Sequence, residues 1–272
     1  MYADMHTHTN FSNDSDATLE EQLDRAVRLG MKYYCVTDHQ DYDHPEGDFS
    51  YILRKREDIV FETYFEKLYA AREAYKDKLH LLIGIEFGLQ PHLVEKIQKD
   101  YATYPFDFVI GSTHSIKGYD TEDSRLYEGV GPEQIIREYF EIEYENLKNT
   151  RTVDAFGHID FILRDVPGKN KGFTYAKYAD ILDEILKLAI DRGQAIELNT
   201  KPLVVGMRDS SPGFETFKRY RELGGELVTL GSDAHFPERI GACFDIAGDL
   251  LKEAGFKYYN IFIQHEPKFF PL

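Results

Sequence analysis

The chain has 272 residues, of which 42% are hydrophobic and 29% are charged, a balance typical of a globular protein rather than a disordered one. The formal net charge of −16 argues against nucleic-acid binding, because such proteins hold phosphates with clustered lysines and arginines, and no such cluster is present. No apolar run is long enough to cross a bilayer and no basic-then-apolar leader precedes Asp4, so we expect a cytoplasmic protein that binds neither membrane nor nucleic acid.

Short apolar runs alternate with helical patterns along the chain. In order, the runs are YADM, YYCVT, LHLLIGIEF, FDFVIGS, VDAFGH, QAIELN and ELVTLGS, with YYNIFI as an eighth candidate. Because a parallel strand needs a long crossover connection to the next one, this alternation predicts a parallel sheet. Seven or eight such units in a chain of this length favour a barrel over an open sheet. Since no linker or repeat interrupts the pattern, we expect one domain over residues 1–272.

Helix signals and irregular stretches lie between these runs. In TLEEQLDRAVRLG, Thr18 and Glu21 have capping-box spacing, apolar residues recur on one face, and Gly30 is a suitable terminator. YAKYADILDEILKLAIDRG and PGFETFKRYRELGG have the same build. Longer irregular stretches follow three of the strands, at Gln40–Ile59, Gly118–Pro132 and Arg164–Thr174. Such barrels hold their chemistry in the loops at the carboxyl ends of their strands.

The two cysteines give information about the interior rather than about chemistry. Cys35 lies in the second apolar run, and Cys243 lies in an apolar context near the last helical pattern. Neither belongs to a CxxC pair, the spacing typical of metal and redox sites. We therefore expect two buried thiols rather than a disulfide.

Eight residues with metal-binding side chains fall at the predicted carboxyl ends of strands. They are His6, His8, His39, Glu86, His114, His158, Asp233 and His235. The strand ends of a parallel barrel converge on one face, so we expect these side chains in one cluster. Residues i and i+2 of an extended segment point the same way, which turns both histidines of His-x-His, and both members of Asp-x-His, toward one pocket.

The donor types predict which metals this cluster binds. Imidazoles and carboxylates without thiolates suit Zn²⁺, Mn²⁺ or Fe²⁺, and the donor set does not distinguish among the three. Eight or nine donors exceed what one ion coordinates, so we expect two to three divalent ions, with Glu86 as a natural bridge.

Each histidine taken singly also has an ordinary interpretation as a half-buried hydrogen-bonding residue. The other four histidines fit that interpretation, and they are His44, His80, His92 and His265. The coincidence of eight metal-binding side chains at one end of the predicted barrel favours a metal cluster instead.

The same residues carry a resemblance to a known family. The segments DMHTHTNFSND, VTDHQD, GIEFG, GSTHS, GHID and GSDAH, in this order, resemble the PHP (polymerase and histidinol phosphatase) superfamily from residue 4 to about residue 241. The sequence HSIKG and the long loop after TDHQD most resemble the histidinol-phosphate phosphatase branch. The resemblance implies an α/β fold, a distorted (β/α)7 TIM-like barrel with two or three metals at the C-terminal ends of the strands. It implies the same eight ligands, with Asp14 in a ninth position where some trinuclear members have histidine.

Cationic side chains near this face are candidates for phosphate binding. Arg164 and Arg208 follow the fifth and sixth predicted strands, where the resemblance implies phosphate-binding arginines, and a guanidinium binds phosphate through two parallel hydrogen bonds. Lys117 is a weaker candidate. Taken alone, either arginine also fits a surface pair with its neighbour, Asp165 or Asp209.

Asp233 and His235 are the candidate catalytic residues. Asp233 is the expected acceptor of the proton of the attacking water, and His235 is able to share that role. The alternative interpretation is that Asp233 caps a helix beginning near Phe236.

We therefore expect a metal-dependent phosphomonoesterase that hydrolyses L-histidinol phosphate to L-histidinol and phosphate by attack of a metal-bridging hydroxide. Two alternatives remain, a PHP-type nuclease or nucleotide phosphoesterase, and a non-catalytic metal-binding module. The acidic balance counts against a polymeric substrate. The Gln40–Ser50 loop and Asp160 are candidates for recognising the imidazole and amino ends of the substrate. The oligomeric state is not predicted by any feature of the sequence.

Overall fold

The computed structural model describes residues 3–45, 57–168 and 172–272. Its strands are β1 (Ala3–Asp4), β2 (Tyr33–Val36), β3 (His39–Gln40), β4 (His80–Gly88), β5 (Phe108–Ser112), β6 (Ser115–Ile116), β7 (Tyr119–Asp120), β8 (Ala155–Phe156), β9 (Ala195–Asn199), β10 (Val228–Gly231), β11 (Tyr258–Ile263) and β12 (Glu266–Pro271). Its α-helices are α1 (Leu19–Arg28), α2 (Phe61–Tyr75), α3 (Val94–Thr103), α4 (Pro132–Asn149), α5 (Ala179–Arg192), α6 (Lys201–Val204), α7 (Phe214–Glu222) and α8 (Phe244–Glu253).

Seven parallel strands form a barrel in the order β1, β2, β4, β5, β8, β9, β10. Backbone hydrogen bonds join the two ends of this series, because Met5 N–H donates to the Leu230 carbonyl at 2.9 Å and Asp233 N–H donates to the His6 carbonyl at 2.8 Å. The predicted distorted (β/α)7 barrel is confirmed. The residues that close the barrel lie beside the predicted ligands, so closure and site assembly use the same segments.

The long strand β4 explains one distortion of the barrel. Its first half pairs with β2, and its second half pairs with the short strand β3, so that His39 lies opposite Glu86. Between the two paired segments the chain leaves the ladder, and Thr37 N–H donates instead to the Thr7 carbonyl at 2.8 Å. This break turns His39 back toward the carboxyl end of β4.

The eighth candidate run is not a barrel strand. YYNIFI forms β11, which pairs antiparallel with β12 through a tight turn at Gln264 and His265. Both turn residues have positive φ, 52° and 66°, as two-residue hairpin turns of this kind require. The hairpin lies against the amino ends of the barrel strands, where Asn260 Oδ1 accepts from Val228 N–H at 2.9 Å. The run therefore pairs with the segment that follows it rather than with the barrel.

The predicted helix signals act as expected. At the start of α1 the Thr18 hydroxyl accepts from Glu21 N–H, and the Glu21 carboxylate accepts from Thr18 N–H. Beyond its end, Gly30 has a φ of +72°, which glycine adopts without steric cost. Leu19, Leu23 and other apolar residues of α1 are buried against the barrel. The capping prediction is thus confirmed down to its hydrogen bonds.

The two cysteines differ in their surroundings. Both are free, and Cys35 is fully buried on β2, but Cys243 is only half-buried. Cys243 immediately precedes α8 with a φ of +61°, so its position belongs to a turn rather than to the core. The prediction of a buried thiol is therefore wrong for Cys243. Within the described ranges, none of the helices combines the length and apolar character that a membrane span requires.

Candidate metal centre and substrate pocket

Glu86, fully buried on β4, lies at the centre of the predicted cluster. Its Oε1 atom lies 3.2 Å from Nε2 of His114 and 2.9 Å from Nε2 of His158. Its Oε2 atom lies 3.0 Å from Nε2 of His6 and 3.0 Å from Nδ1 of His39. One carboxylate thus faces four imidazoles from four segments of the barrel.

The remaining predicted ligands extend this cluster toward the pocket. The His8 ring stacks between those of His39 and His235, with centroid distances of 4.2 and 4.1 Å. His8 Nε2 lies 3.3 Å from Oδ1 of Asp233, and His235 Nε2 lies 2.9 Å from Oδ2 of Asp14. The structure therefore brings all nine predicted metal-binding residues together, including the aspartate in the ninth position.

Strand pairing explains why two pairs of side chains meet. Thr7 forms a parallel bridge with Ala234 where the barrel closes. His6 and His8 flank Thr7, and alternation along an extended chain points their side chains away from that of Thr7. Asp233 and His235 flank Ala234, but Asp233 has a φ of +51°, so the predicted extended geometry of Asp-x-His does not hold there, and Asp233 reaches His8 from a left-handed backbone conformation. The Thr7 hydroxyl accordingly donates to the carbonyl of Cys35 at 2.6 Å, outside the cluster. Pairing at one bridge therefore brings the side chains of four candidate ligands together.

The cluster has the donor chemistry of a transition-metal site. Within the described residues, four sets of three donor atoms lie close enough to hold an ion, and they are His8–His39–His235, His6–His158–Glu197, His6–His8–Glu86 and His39–Glu86–His114. Buried atoms of this cluster also lack hydrogen-bond partners, namely His8 Nε2, His39 Nδ1, His158 Nδ1 and Asp14 Oδ1. Buried polar atoms in proteins are nearly always paired, so a metal ion is the partner that such nitrogens and oxygens fit.

Burial and mutual charge set the protonation of these groups. Burial and the neighbouring His235 and His39 hold the pKa of His8 well below its usual value. Although burial opposes it, the surrounding histidines keep the pKa of Glu86 well below the usual range. Although burial also opposes the charged form of His6, the carboxylates of Glu197 and Glu86 raise its pKa. A neutral imidazole and an ionised carboxylate are the forms that bind metals, and a metal competes with the proton on His6.

Two carboxylates that the sequence analysis did not select orient the ligands. Glu197 Oε1 lies 2.6 Å from Nδ1 of His6, and Glu197 Oε2 accepts from His158 N–H at 2.9 Å. Asp41 Oδ1 lies 2.8 Å from Nδ1 of His114. Metal-binding histidines commonly hold their second ring nitrogen on a carboxylate, which fixes the tautomer and the ring orientation.

Glycines on neighbouring strands make room for these supporting side chains. A Cβ atom at Gly231 would overlap Oε1 of Glu197 and crowd His6, and one at Gly88 would overlap Oδ1 of Asp41. A Cβ at Gly157 would overlap the Ser112 hydroxyl, which donates to Glu86. Side-chain-free positions on β10, β4 and after β8 are therefore part of the site.

Asp233 is held from both sides of its carboxylate. Oδ1 lies 3.0 Å from Lys201 Nζ, while Oδ2 accepts from Asn199 Nδ2 at 3.2 Å and from Arg164 Nη1 at 3.5 Å. Although burial opposes it, Lys201 and the nearby histidines hold the pKa of Asp233 well below its usual range. The short 3-10 turn that follows has Phe236 at its N-cap position and no side-chain cap. The helix-cap interpretation of Asp233 is therefore wrong.

A cavity of about 860 Å³ opens above the cluster. Its cationic side chains are Arg164, Lys201, Arg208 and Arg239, its acidic side chains beyond the cluster include Asp120, Glu122 and Asp165, and its apolar ones include Phe161, Val205, Met207 and Phe236. Burial and the carboxylates of Asp165 and Asp120 raise the pKa of Glu122 to about 7. The pocket therefore combines a floor of candidate metal ligands with both cationic and acidic side chains.

The predicted phosphate-binding residues have different positions. Arg164 and Arg208 line the cavity, and the Arg164 guanidinium stacks 3.7 Å above the ring of Phe161. Lys117 instead pairs with Glu138 at 2.8 Å and is not among the described residues that line the cavity. The structure thus gives the Lys117 prediction no geometric support. Lys201 was missed, although it follows a predicted strand end as closely as several of the ligands do.

The candidates for recognising the rest of the substrate are less favourably placed. Asp160 is buried and accepts from the Ser211 hydroxyl, and it is not one of the cavity-lining residues in the described ranges. Of the Gln40–Ser50 loop, residues 46–50 lie outside the described residues. Within the described part of that loop, His44 Nε2 lies 2.8 Å from Oδ2 of the cavity-lining Asp120.

Comparison with known proteins identifies the family to which this barrel and its site belong. The family model described as PHP domain matches residues 4–201, and the chain belongs to this family. The histidinol-phosphatase of Lactococcus lactis is 30% identical over 259 residues, which cover 93% of this chain and 91% of that one.

Solved structures agree with this assignment. The crystal structure of histidinol phosphate phosphatase from Lactococcus lactis, complexed with zinc, L-histidinol and phosphate, matches with a TM-score of 0.88 and 28% identity, over 98% of both chains. A structure from Listeria monocytogenes matches with a TM-score of 0.76 and 19% identity, over 90% of this chain and 99% of that one, which supports the fold alone.

Proposed function

We propose that this chain is a metal-dependent phosphomonoesterase that hydrolyses L-histidinol phosphate to L-histidinol and phosphate. The observation that carries the proposal is a pocket in which a buried histidine–carboxylate floor lies together with cationic and acidic side chains. The relationship to histidinol-phosphatases over more than nine-tenths of the chain supports it. A phosphomonoester with an amine at its other end is complementary to a pocket that contains both cations and carboxylates.

The metal-binding floor consists of nine residues in this proposal. They are His6, His8, Asp14, His39, Glu86, His114, His158, Asp233 and His235. Two to three zinc, manganese or iron ions bound there would lower the pKa of a water molecule and offset charge on the phosphoryl oxygens. Glu197 and Asp41 hold the rings of His6 and His114 in the orientation that binding requires.

The chain's own charged groups act on the phosphoryl group from the pocket side. Arg164 is the more enclosed cation, because its guanidinium stacks on Phe161 and its side chain is only 13% exposed. Arg208 lies at the exposed rim of the same cavity. Guanidinium groups in such a partly enclosed site stabilise the charge that develops on phosphoryl oxygens during hydrolysis.

Asp233 is the proposed proton acceptor at the floor of the pocket. Its lowered pKa keeps it ionised at neutral pH, and Asn199 and Arg164 orient its Oδ2 atom. His235 lies two residues after Asp233 and contacts Asp14 through Nε2. His235 is the proposed second proton carrier, able to share with Asp233 the role of taking or relaying the proton of the attacking water.

The acidic and apolar residues of the pocket suit the amine and imidazole groups of histidinol phosphate. Glu122 and Asp165 lie on the acidic side and attract the substrate ammonium group, and Thr121 holds Asp165 through a hydrogen bond of 2.7 Å. The rings of Phe161 and Phe236 and the side chain of Met207 provide surface against which an imidazole packs.

A substrate comparison on protein reconstituted with Zn²⁺, Mn²⁺ or Fe²⁺ tests the proposal. We expect kcat/KM for histidinol phosphate to exceed that for its analogue without the amino group by at least about 100-fold, since the acidic side would lose its partner. Release of phosphate from p-nitrophenyl phosphate serves only to show that the preparation is active. Higher kcat/KM on dinucleotides than on histidinol phosphate would instead support the nuclease alternative, and no release from any ester would support a non-catalytic module.

A further inference from the structure

Behind His8 lies a buried network of two hydroxyl groups and one carboxylate that is not part of the candidate ligand set. The carboxylate belongs to Asp38, which is fully buried where the chain leaves the ladder between β2 and β3. It accepts from the backbone N–H groups of Thr9 and Ser12, at 2.6 and 3.2 Å, and from their hydroxyl groups, at 2.8 and 2.6 Å. All four partners are donors, so the Asp38 carboxylate acts here only as an acceptor.

The Ser12 hydroxyl connects this carboxylate to two of the candidate ligands. Its single proton is directed to Asp38, because an Oγ–Oδ1 distance of 2.6 Å is typical of a hydroxyl that donates to a carboxylate. The same oxygen accepts from the backbone N–H of His39 at 3.0 Å, and it lies 3.2 Å from Nδ1 of His8. A hydroxyl that has donated its proton to Asp38 only accepts from other groups, so Nδ1 of His8 carries a hydrogen.

The second ring nitrogen of His8 faces the cluster. Nε2 is buried without a hydrogen-bond partner in the described part of the chain, and it lies 3.3 Å from Oδ1 of Asp233 and 3.6 Å from Oε2 of Glu86. A neutral imidazole has one N–H and one lone pair, so a hydrogen on Nδ1 leaves the lone pair on Nε2. The network therefore places the lone pair of His8 on the side where the other donors converge.

We propose that Asp38 and Ser12 are positioning residues that hold His8 in the tautomer with its hydrogen on Nδ1, so that Nε2 binds the metal ion. They act through His8 rather than on the substrate, so the proposal does not depend on which ester the site hydrolyses. The bond from His39 N–H to the same hydroxyl also fixes the start of β3 relative to the loop after β1. One hydroxyl thus orients a ligand ring on the first segment and holds the backbone of a ligand on another.

Thr9 offers an internal comparison within the same network. Its hydroxyl also donates to Asp38, and it accepts from Phe11 N–H at 3.3 Å, but no hydrogen bond among the described residues joins it to a histidine ring. Thr9→Val and Ser12→Ala each remove one buried hydroxyl and its bond to Asp38. Only Ser12→Ala also removes the acceptor of the His8 Nδ1 hydrogen, so the two variants separate control of the tautomer from simple support of the loop.

Nuclear magnetic resonance of the zinc-loaded protein, with ¹⁵N-labelled histidine, tests the tautomer directly. The signals of His8 are assigned by their absence from His8→Asn. We expect the wild type to have hydrogen on Nδ1 of His8 and zinc on Nε2. Hydrogen on Nε2, or zinc bound through Nδ1, overturns the proposal.

Zinc affinity, measured by competition with a chelator, tests the consequence for binding. Ser12→Ala should lower it about 10- to 100-fold, the usual cost of losing a group that orients a metal-binding histidine. Thr9→Val is the matched control and should keep the wild-type affinity. Wild-type affinity in Ser12→Ala overturns the proposal, and so do equal losses in the two variants, because the hydroxyl groups would then only support the loop. Zinc-loaded wild type that shows the expected tautomer but does not hydrolyse histidinol phosphate contradicts the proposed function alone.

Discussion

Both ends of the barrel contain histidines paired with buried carboxylates, and the two ends differ in the ratio of these groups. At the amino end, His265 Nδ1 lies 2.9 Å from Oδ2 of Asp154, which also accepts from Val109 N–H at 2.7 Å. Asp107 there accepts from Ile83 N–H at 2.9 Å and pairs with Arg72. Each of these carboxylates has one cationic partner, and its other partners are backbone N–H groups, one for Asp154 and two for Asp107, where Gln264 N–H is the second.

At the carboxyl end, by contrast, several imidazoles converge on one central carboxylate. Glu86 alone faces four histidine nitrogens, and neighbouring ring nitrogens have no hydrogen-bond partner. A histidine–carboxylate contact by itself therefore does not distinguish a structural pair from a metal site. A metal site differs from a structural pair because it contains more buried histidine nitrogens than there are hydrogen-bond partners for them. Such unpaired nitrogens are stable only when they coordinate a cation.

The largest effect should come from removing the central carboxylate. Glu86→Gln is expected to lower metal affinity by more than the roughly 10–100-fold that loss of an outer supporting carboxylate costs, because Glu86 itself faces four imidazoles. Elemental analysis should find two to three transition metals per wild-type chain and fewer in the variant. Asp154→Asn at the amino end is the control and should keep its metal. Active wild-type protein without transition metal would contradict the expected difference between the two ends.

Asp233→Asn should have the next largest effect on turnover. The amide keeps the size of the side chain and one coordinating oxygen but does not accept the proton, so kcat should fall by ~100-fold or more with at least two metals retained. Turnover and metal content are measured on the same preparation. Near-normal kcat with full metal would exclude the catalytic role, and joint loss of kcat and metal would leave only the ligand role.

The arginines of the pocket should have a smaller effect than Asp233. Arg164→Ala or Arg208→Ala is expected to lower kcat/KM at least tenfold, about 1.4 kcal/mol, with metal content intact, because the phosphoryl group loses a cation that binds it. Arg72→Ala at the amino end provides the comparison, and its kinetics should remain normal. Unchanged kinetics in both pocket variants would return these arginines to the surface-pair interpretation.

The acidic side of the pocket should produce a modest pH dependence. The raised pKa of Glu122, about 7, means that its carboxylate loses its charge as the pH falls below that value. For histidinol phosphate, kcat/KM should then fall by up to about fivefold, whereas Glu122→Gln should lack this decline. The analogue without an amino group has the same phosphate and serves as the control substrate. An identical decline with both substrates would mean that Glu122 does not bind the ammonium group.

The smallest effect belongs to the amino end and concerns stability alone. Although burial opposes it, Asp154 raises the pKa of His265 above its usual 6.5, so the pair contributes its full stabilisation below that pH and loses it as the pH rises through the folded-state pKa. His265→Gln should therefore lower Tm by a few degrees more in mild acid than in alkali. Differential scanning calorimetry at several pH values measures this, and a difference that grows with pH would contradict the pairing.

The candidate metal ligands were predictable from the sequence because the end of a strand is recognisable from its neighbouring residues. His6, His114 and His158 each follow a short apolar run, and the repetition of that pattern identifies their shared face. Glu197 was not predictable, since a glutamate within QAIELN has no distinguishing neighbour. Its role depends on the space left by Gly231, which lies far along the chain and becomes adjacent only when β9 pairs with β10.

For Lys117 and for the last apolar run, the sequence predicted a role that the structure does not support. Lys117 follows a strand, as the ligands do, but β6 and β7 form a hairpin at that point, and its side chain turns to Glu138 on α4. YYNIFI has the composition of a barrel strand, yet the run after it offers an antiparallel partner at shorter range. Residue type and spacing identify the candidates, whereas the local pairing partner decides their direction.

The closure of the barrel at the bridge between Thr7 and Ala234 has a consequence for biosynthesis. His235 contacts Asp14 across 221 residues of chain, so the first two histidines leave the ribosome long before the partners that complete their site. At roughly 5–20 residues per second, translation of that interval takes on the order of ten to forty-five seconds. During this time His6 and His8 belong to a nascent chain without its final barrel strand. A metal centre that uses all nine residues would therefore be completed only after the last barrel strand has been synthesised.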